Sequence, residues 1–236
     1  MSRRLPALLL ALALAGCSGG SSSGGDKDAA PTKESATKAA TAVVLTKADA
    51  PEGFTGKAHD PSGDSSAENK EFLACVGATV PGSELADVYG DDLAKGSALP
   101  QFMASTEVSV QPTKDIVNKD LAAFQNTTKT TTCLMTELTK LVNEQGKSAG
   151  GLTATGGKVT TFDTKADGTD GAFGYSYTAN LAASGLTVPV EIVVQGVLYK
   201  HTELQVTTIG IGAVFPAATR TELFDKAVGR LKKSAV

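Results

Sequence analysis

Tryptophan is absent from this sequence, aromatic residues make up only 5% of it, and histidine occurs twice, as His59 and His201. So few rings leave the core to valine, leucine, alanine and phenylalanine. So few imidazoles leave little material for acid–base or metal chemistry. A cationic excess is lacking as well. The formal charge is −3, and loss of a leader carrying Arg3 and Arg4 takes it to −5. Nucleic-acid binding needs a basic stripe, so this balance argues against such a partner, and equally against adhesion to anionic lipid by charge. No apolar run approaches the ~20 residues of a membrane-spanning helix. Nucleophile elbows of the Gly-x-Ser-x-Gly kind and phosphate-cradling loops ending in Lys-Ser/Thr are missing too. Neither an enzyme nor a cofactor is expected.

What is present begins at the amino terminus. Arg3 and Arg4 precede an apolar run from Leu5 to Leu14, and Ala15, Gly16 and Cys17 follow. A basic start, a short apolar segment and small residues before a cut are the parts of a secretory signal. The Leu14-Ala15-Gly16-Cys17 stretch resembles the lipobox of bacterial lipoproteins. That resemblance implies a diacylglycerol thioether on Cys17, cleavage after residue 16, and acylation of the new amino end. The membrane is then a partner through covalent lipid on Cys17.

Once Cys17 is assigned to lipid, Cys75 and Cys133 remain. They form an even pair outside the cytoplasm, where disulfides persist, so a Cys75–Cys133 bond is predicted, with two buried free thiols as the alternative. The long intervening loop gives about 4 kcal/mol in the chain-entropy account.

The organisation read from composition and periodicity is a signal over 1–16, a lipidated cysteine with a flexible Gly/Ser/charged tether over 17–41, and one extracytoplasmic domain over 42–236. A β-branched segment, Ala42 to Leu45, opens that domain, and Thr46 and Asp49 frame a single helical turn that Pro51 ends. Ser65 and Glu68 predict a helix start whose apolar face is Phe72, Leu73 and Val76, with Gly77 closing it. Pro81 to Pro100 reads as surface loop. Alternation from Phe102 to Val110 predicts a half-buried strand, and Thr113 a helix striped by Val117, Leu121 and Phe124. A threonine-rich break over Thr127–Thr132 precedes a helix that Cys133 opens. The last third predicts strands at Val159–Phe162, Phe173–Leu181, Leu186–Val194 and Val197–Ile209, with Gln195-Gly196 as a hairpin turn. A closing helix after Pro216 carries Leu223, Phe224, Ala227, Val228 and Leu231 on one side. The expected fold class is α+β: a curved antiparallel sheet packed by three to four helices, with one disulfide.

The segment Leu45-Thr46-Lys47-Ala48-Asp49-Ala50-Pro51-Glu52-Gly53-Phe54 is similar to an L-T-x-x-D-L-P-x-G-[FW] opening found in a loose group of uncharacterised actinobacterial secreted lipoproteins, with Ala50 where leucine is usual. The resemblance implies a secreted lipoprotein and supplies no catalytic residues.

Candidate chemistry is sparse. Asp163, Asp167 and Asp170 suggest calcium, but Lys165 stands where an oxygen ligand belongs and Gly174 where a bidentate glutamate belongs, so a solvated turn is expected. Neither His59 nor His201 has a partner at metal-ligand spacing. Gly210-Ile211-Gly212 lacks the helix of a dinucleotide motif. Asn126-Thr127-Thr128 matches a glycosylation acceptor by pattern alone. The function expected is a membrane-anchored, non-catalytic domain that binds an envelope protein or a small ligand, or alternatively carries a lipid or other small apolar ligand in a sheet–helix cavity.

Overall fold

The computed structural model describes residues 30–60, 66–80, 82–148, 153–183 and 186–236. The signal, Cys17, the first part of the tether and the Ser65 cap lie outside these residues. The described elements are α1 (Lys33–Val43), β1 (Thr55–Lys57), α2 (Ser66–Val76), β2 (Ala86–Tyr89), β3 (Asp92–Lys95), β4 (Gln101–Val110), α3 (Lys114–Gln125), α4 (Thr127–Ser148), β5 (Thr153–Thr161), β6 (Gly171–Ala183), β7 (Leu186–Tyr199), β8 (Thr202–Ile211) and α5 (Ala217–Ser234). Among them, no helix is long and apolar enough to cross a membrane.

The strands form one antiparallel eight-stranded sheet in the order β1-β3-β4-β8-β7-β6-β5, with β2 on the same edge of β4 as β3. Helices cover both faces. One core joins Phe72, Leu73, Val117, Phe124 and Leu134 of α2, α3 and α4 to Phe173, Tyr177, Ile192 and Val194 of the sheet. The other joins Ala36, Ala40 and Val43 of α1 and Leu223, Phe224 and Leu231 of α5 to Val108, Leu204 and Val206. Cys75 and Cys133 are bonded, with Cα atoms 5.9 Å apart, and tie α2 to α4. The fold class is α+β, as expected.

Four local readings are corrected. The tether does not run to residue 41, because α1 occupies Lys33–Val43. Thr32 caps it reciprocally: the Ser35 N–H donates to Thr32 Oγ1 at 3.2 Å, and the Thr32 N–H donates to Ser35 Oγ at 3.0 Å. The buried positions Ala36, Ala39, Ala40 and Val43 keep helical spacing, but in alanine, which suits a helix and lets it lie close to its neighbours. The same helix runs through Ala42 and Val43, the start of the β-branched segment expected to open the domain. Second, the stretch from Pro81 to Pro100 holds the short strands β2 and β3, both paired to β4.

Third, Thr127–Thr132 is the first part of α4 and not a break. The threonine hydroxyls turn back onto carbonyls one turn earlier, Thr131 to Thr127 at 2.7 Å and Thr132 to Thr128 at 2.9 Å, so the side chains are satisfied inside the helix. The Asn126 carboxamide takes the Lys129 N–H at 3.3 Å, which makes Asn126 a helix cap. Fourth, Gln195-Gly196 is strand interior. Gly196 lies beneath the Phe173 ring, where a Cβ would collide with it. The reversal falls instead at Lys200, whose φ is 56°, and His201. The turn is tied down by the Lys200 N–H on Asp170 Oδ2 at 2.6 Å and the His201 N–H on the Val236 carbonyl at 3.1 Å.

Candidate functional site

The helices α2–α4 press on β5, β6 and β7, where the sheet offers Phe173, Tyr175, Tyr177 and Val190. Period two carries the same sheet face across β8 and β4, and there its residues turn polar: Thr207, Gln205 and Glu203, then Glu107, Ser109 and Gln111. Helix α3 reaches over this border and contributes Asp120, one turn before Phe124 on its buried stripe. The result is a band of buried carboxylates beside an aromatic core.

Glu203 sits at its centre, 6% exposed. Its Oε2 accepts from Ser109 Oγ at 3.3 Å and from Gln111 Nε2 at 3.4 Å. Asp120 is fully buried, and its Oδ1 accepts from the Thr79 N–H at 2.7 Å. Tyr89 donates to Glu107 Oε1 at 3.3 Å and stacks on the His59 ring at 4.6 Å, while His59 Nδ1 lies 3.0 Å from Asp92 Oδ1. Beside Glu203 is a cavity of about 20 Å³, enough for one water-sized group, lined by Glu107, Ser109, Phe124, Phe173, Leu198 and Glu203 among others.

Burial and the nearby Asp120 charge push the Glu203 carboxyl well above its usual range. Burial also raises Asp120, against the opposing Thr79 hydrogen bonds and the Lys119 charge. Glu84 is pushed up to about 8, by burial first and then by Asp87 and Asp120. Such perturbed groups in one place mark a candidate site. They also fix a pH dependence. Glu84 and Glu203 hold protons in the folded chain at pH values where the unfolded chain, with carboxyls near 4.5, has shed them. Their stabilisation is therefore complete below about pH 4.5 and lost as pH rises through each folded value, about 8 for Glu84. With screening at the half-buried Glu84 allowed for, the slope is about 1 kcal/mol per pH unit, or about 2–4 °C in midpoint. Calorimetry from pH 5 to 8 is expected to show that fall, and Glu84→Gln to flatten it. A midpoint that climbs over this range would contradict the protonated carboxyls.

The residues singled out in the sequence are placed otherwise. His201 is buried, and its Nδ1 faces the Gln111 carbonyl at 3.2 Å. Asp163 and Asp167 are exposed on the β5–β6 connection, and Asp170 meets Lys114 Nζ at 3.3 Å. Among the described residues, no group of three or more His, Cys, Asp or Glu side chains could hold a metal ion. Gly212 closes β8 by donating to the Pro189 carbonyl at 2.8 Å. Cys75 and Cys133 are brought together; Cys17 lies outside the described residues. Asp120, Gln111 and Glu203 escaped the sequence reading. Their one signal is an acid in step with the apolar stripe of α3 and another inside a β-branched strand.

No family model matches the chain, and no curated protein matches it. Two solved structures show partial likeness. The extracellular domain of PknH from Mycobacterium tuberculosis is 16% identical, with 69% of each chain covered and a TM-score of 0.34. LpqN of Mycobacterium tuberculosis, involved in cell envelope biogenesis, is 9% identical, with 75% of each chain covered and a TM-score of 0.27. At these scores neither likeness carries an assignment to this chain.

Proposed function

We propose that the chain is a lipid-anchored domain facing outside the cytoplasm, which binds a ligand or envelope partner without chemical turnover. The Cys75–Cys133 bond carries this reading. It suits an oxidising compartment, and it leaves Cys17 as the unspent cysteine of the three, inside a lipobox-like stretch. Helix α1 begins at Lys33, so the linker from Ser18 to Thr32 is shorter than composition alone suggests. The absence of turnover rests on the sequence, with its two histidines and missing nucleophile motifs. Carriage of an apolar molecule gains no support where α3 meets the sheet, since the cavity there takes one water-sized group.

The test is Cys17→Ser in the full-length chain expressed in a lipoprotein-processing host. Wild-type protein is expected in the detergent phase with a lipid mass increment on its first mature residue. The variant is expected to keep its leader and to carry no lipid. A variant that is cut before residue 17 and still partitions with membranes would overturn the anchor.

A further inference from the structure

We propose that the first two turns of α3 form a pH-released flap, bolted to the sheet by one proton shared between Asp120 and Glu203. The buried residues of α3 are Val117, Asp120 and Phe124. One of these three anchors is therefore ionisable, and it does not meet a cation. Asp120 meets the Glu203 carboxyl of β8, and the two are hydrogen-bonded to each other. Two carboxylates have no hydrogen to share, so this bond exists only while one of them is protonated. No other group donates to Asp120 Oδ2 or to Glu203 Oε1. The opposite oxygens are taken, Asp120 Oδ1 by the Thr79 N–H at 2.7 Å and Glu203 Oε2 by Ser109 and Gln111. A single proton therefore bridges the pair. When it leaves to solvent, two negative charges face each other at residues 0% and 6% exposed, and moving Asp120 into water relieves both.

The two ends of α3 decide how it moves. At its start, Thr113 makes no side-chain cap bond, and the chain is next fixed at Gln111, whose N–H donates to the His201 carbonyl at 2.7 Å. At its end, the Tyr175 hydroxyl donates to the Phe124 carbonyl and the Thr130 hydroxyl to the Ala123 carbonyl at 3.1 Å. The helix is thus pinned at Phe124. Its first two turns are held by Val117, partly buried Leu121, the exposed Lys114–Asp170 contact at 3.3 Å and the acid pair. The Cys75–Cys133 bond keeps α2 on α4 while α3 lifts. Other charges reach the pair from each neighbouring element. Lys119 of α3 favours ionised Asp120, while Glu84, ahead of β2, is repelled by Asp120 and by Asp87. Glu107 of β4 lines the same small cavity as Glu203 and takes the Tyr89 hydroxyl. His201, two residues before Glu203, faces the Gln111 carbonyl, and burial keeps the Tyr175 hydroxyl neutral. The acidic excess favours retention of the proton. Once it is lost, Asp120 and Glu203 face solvent as carboxylates, so the surface that a partner meets changes with pH.

The flap is a property of the domain alone and does not depend on the lipid anchor. Amide hydrogen exchange of the full chain in detergent between pH 6 and 8 tests it, read at Asn118–Leu121 of α3 and at Ile192 and Val194 of β7. A helix of 12 residues lifted off its sheet is marginal in water, so release shows as exchange. Protection factors remove the intrinsic acceleration of exchange in base. Those of α3 are expected to lie about tenfold or more below those of β7, and to fall about tenfold per pH unit because release frees one proton. Glu203→Gln puts an amide donor where the proton was and is expected to abolish that slope, leaving α3 at pH 8 as protected as at pH 6. Glu203→Gln combined with Asp120→Asn leaves no titratable group in the contact and is expected to give the same flat profile. Equal protection of α3 and β7 in the wild type means that the whole body opens at once and overturns the proposal. So does wild-type α3 protection that ignores pH, or a slope that survives in both variants.

Discussion

Replacing both Cys75 and Cys133 by alanine is expected to lower the thermal midpoint by about 8–16 °C. The bond closes a loop of sequence separation 58, for which chain entropy gives about 4 kcal/mol, and a domain of this size loses about 2–4 °C per kcal/mol. Helix α2 holds its place through Phe72, Leu73 and Val76, and its other described tie to α4 is the Glu71–Lys140 pair at 3.0 Å. The Lys140 and Glu71 side chains are 41% and 60% exposed, and exposed pairs contribute little. The bond therefore adds a covalent constraint to the core that α2 and α4 share. Scanning calorimetry of oxidised wild type against the double variant measures it. A drop under about 2 °C would mean that the unfolded chain gains little freedom from the cut.

Arg230→Met is expected to cost about 2 kcal/mol, or about 4–8 °C. Arg230 grips the Asp49 carboxylate with both guanidinium arms, at 2.6 and 2.9 Å, and also donates to the Val44 carbonyl at 2.9 Å. Asp49 is 6% exposed and caps its own short turn by taking the Thr46 N–H at 2.9 Å. Removal of the arginine leaves a nearly buried carboxylate with its Thr46 cap and the more distant Lys226 ammonium at 3.9 Å. The Arg230 side chain is itself a third exposed, which brings the cost below the ~3–5 kcal/mol of a fully buried pair. Burial pushes Asp49 up, but the Arg230 guanidinium and the Thr46 bonds outweigh it and hold its carboxyl below 3.8. The stabilisation is thus present above about pH 3.8 and is lost as pH falls through the lower folded value. The gap between variant and wild type should close in acid. Equal gaps at pH 3 and pH 6 would show that the arginine acts through packing alone.

The same residues explain how much could be read in advance. Thr46 and Asp49 announced their turn because a cap is local chemistry, decided within four residues. The long strands and α5 were legible because their apolar residues repeat at the period of the element. Helix α1 kept that period too, but in alanine, which a hydrophobic count passes over; only the adjoining α5 and sheet make those methyls a core. The strands β2 and β3 have four residues each, and their shared partner β4 makes them strands. Gly196 looked like a turn because nothing in its neighbourhood reveals that Phe173, 23 positions away, needs the space. The carboxylate cluster was hidden for the same reason. Glu84, Asp120 and Glu203 are ordinary surface acids in sequence, and only the antiparallel register and the crossing of α3 bring them within reach of each other.

The first helix and the last lie side by side. The seat for Ala36, Ala40 and Val43 thus includes Leu223, Phe224 and Leu231 of α5, which leave the ribosome long after α1 does. A growing fragment that still lacks α5 has no such seat, so closure of the body waits until α5 has been made. A chain shortened before α5 is expected to present a bare apolar face to proteases and to be cleared.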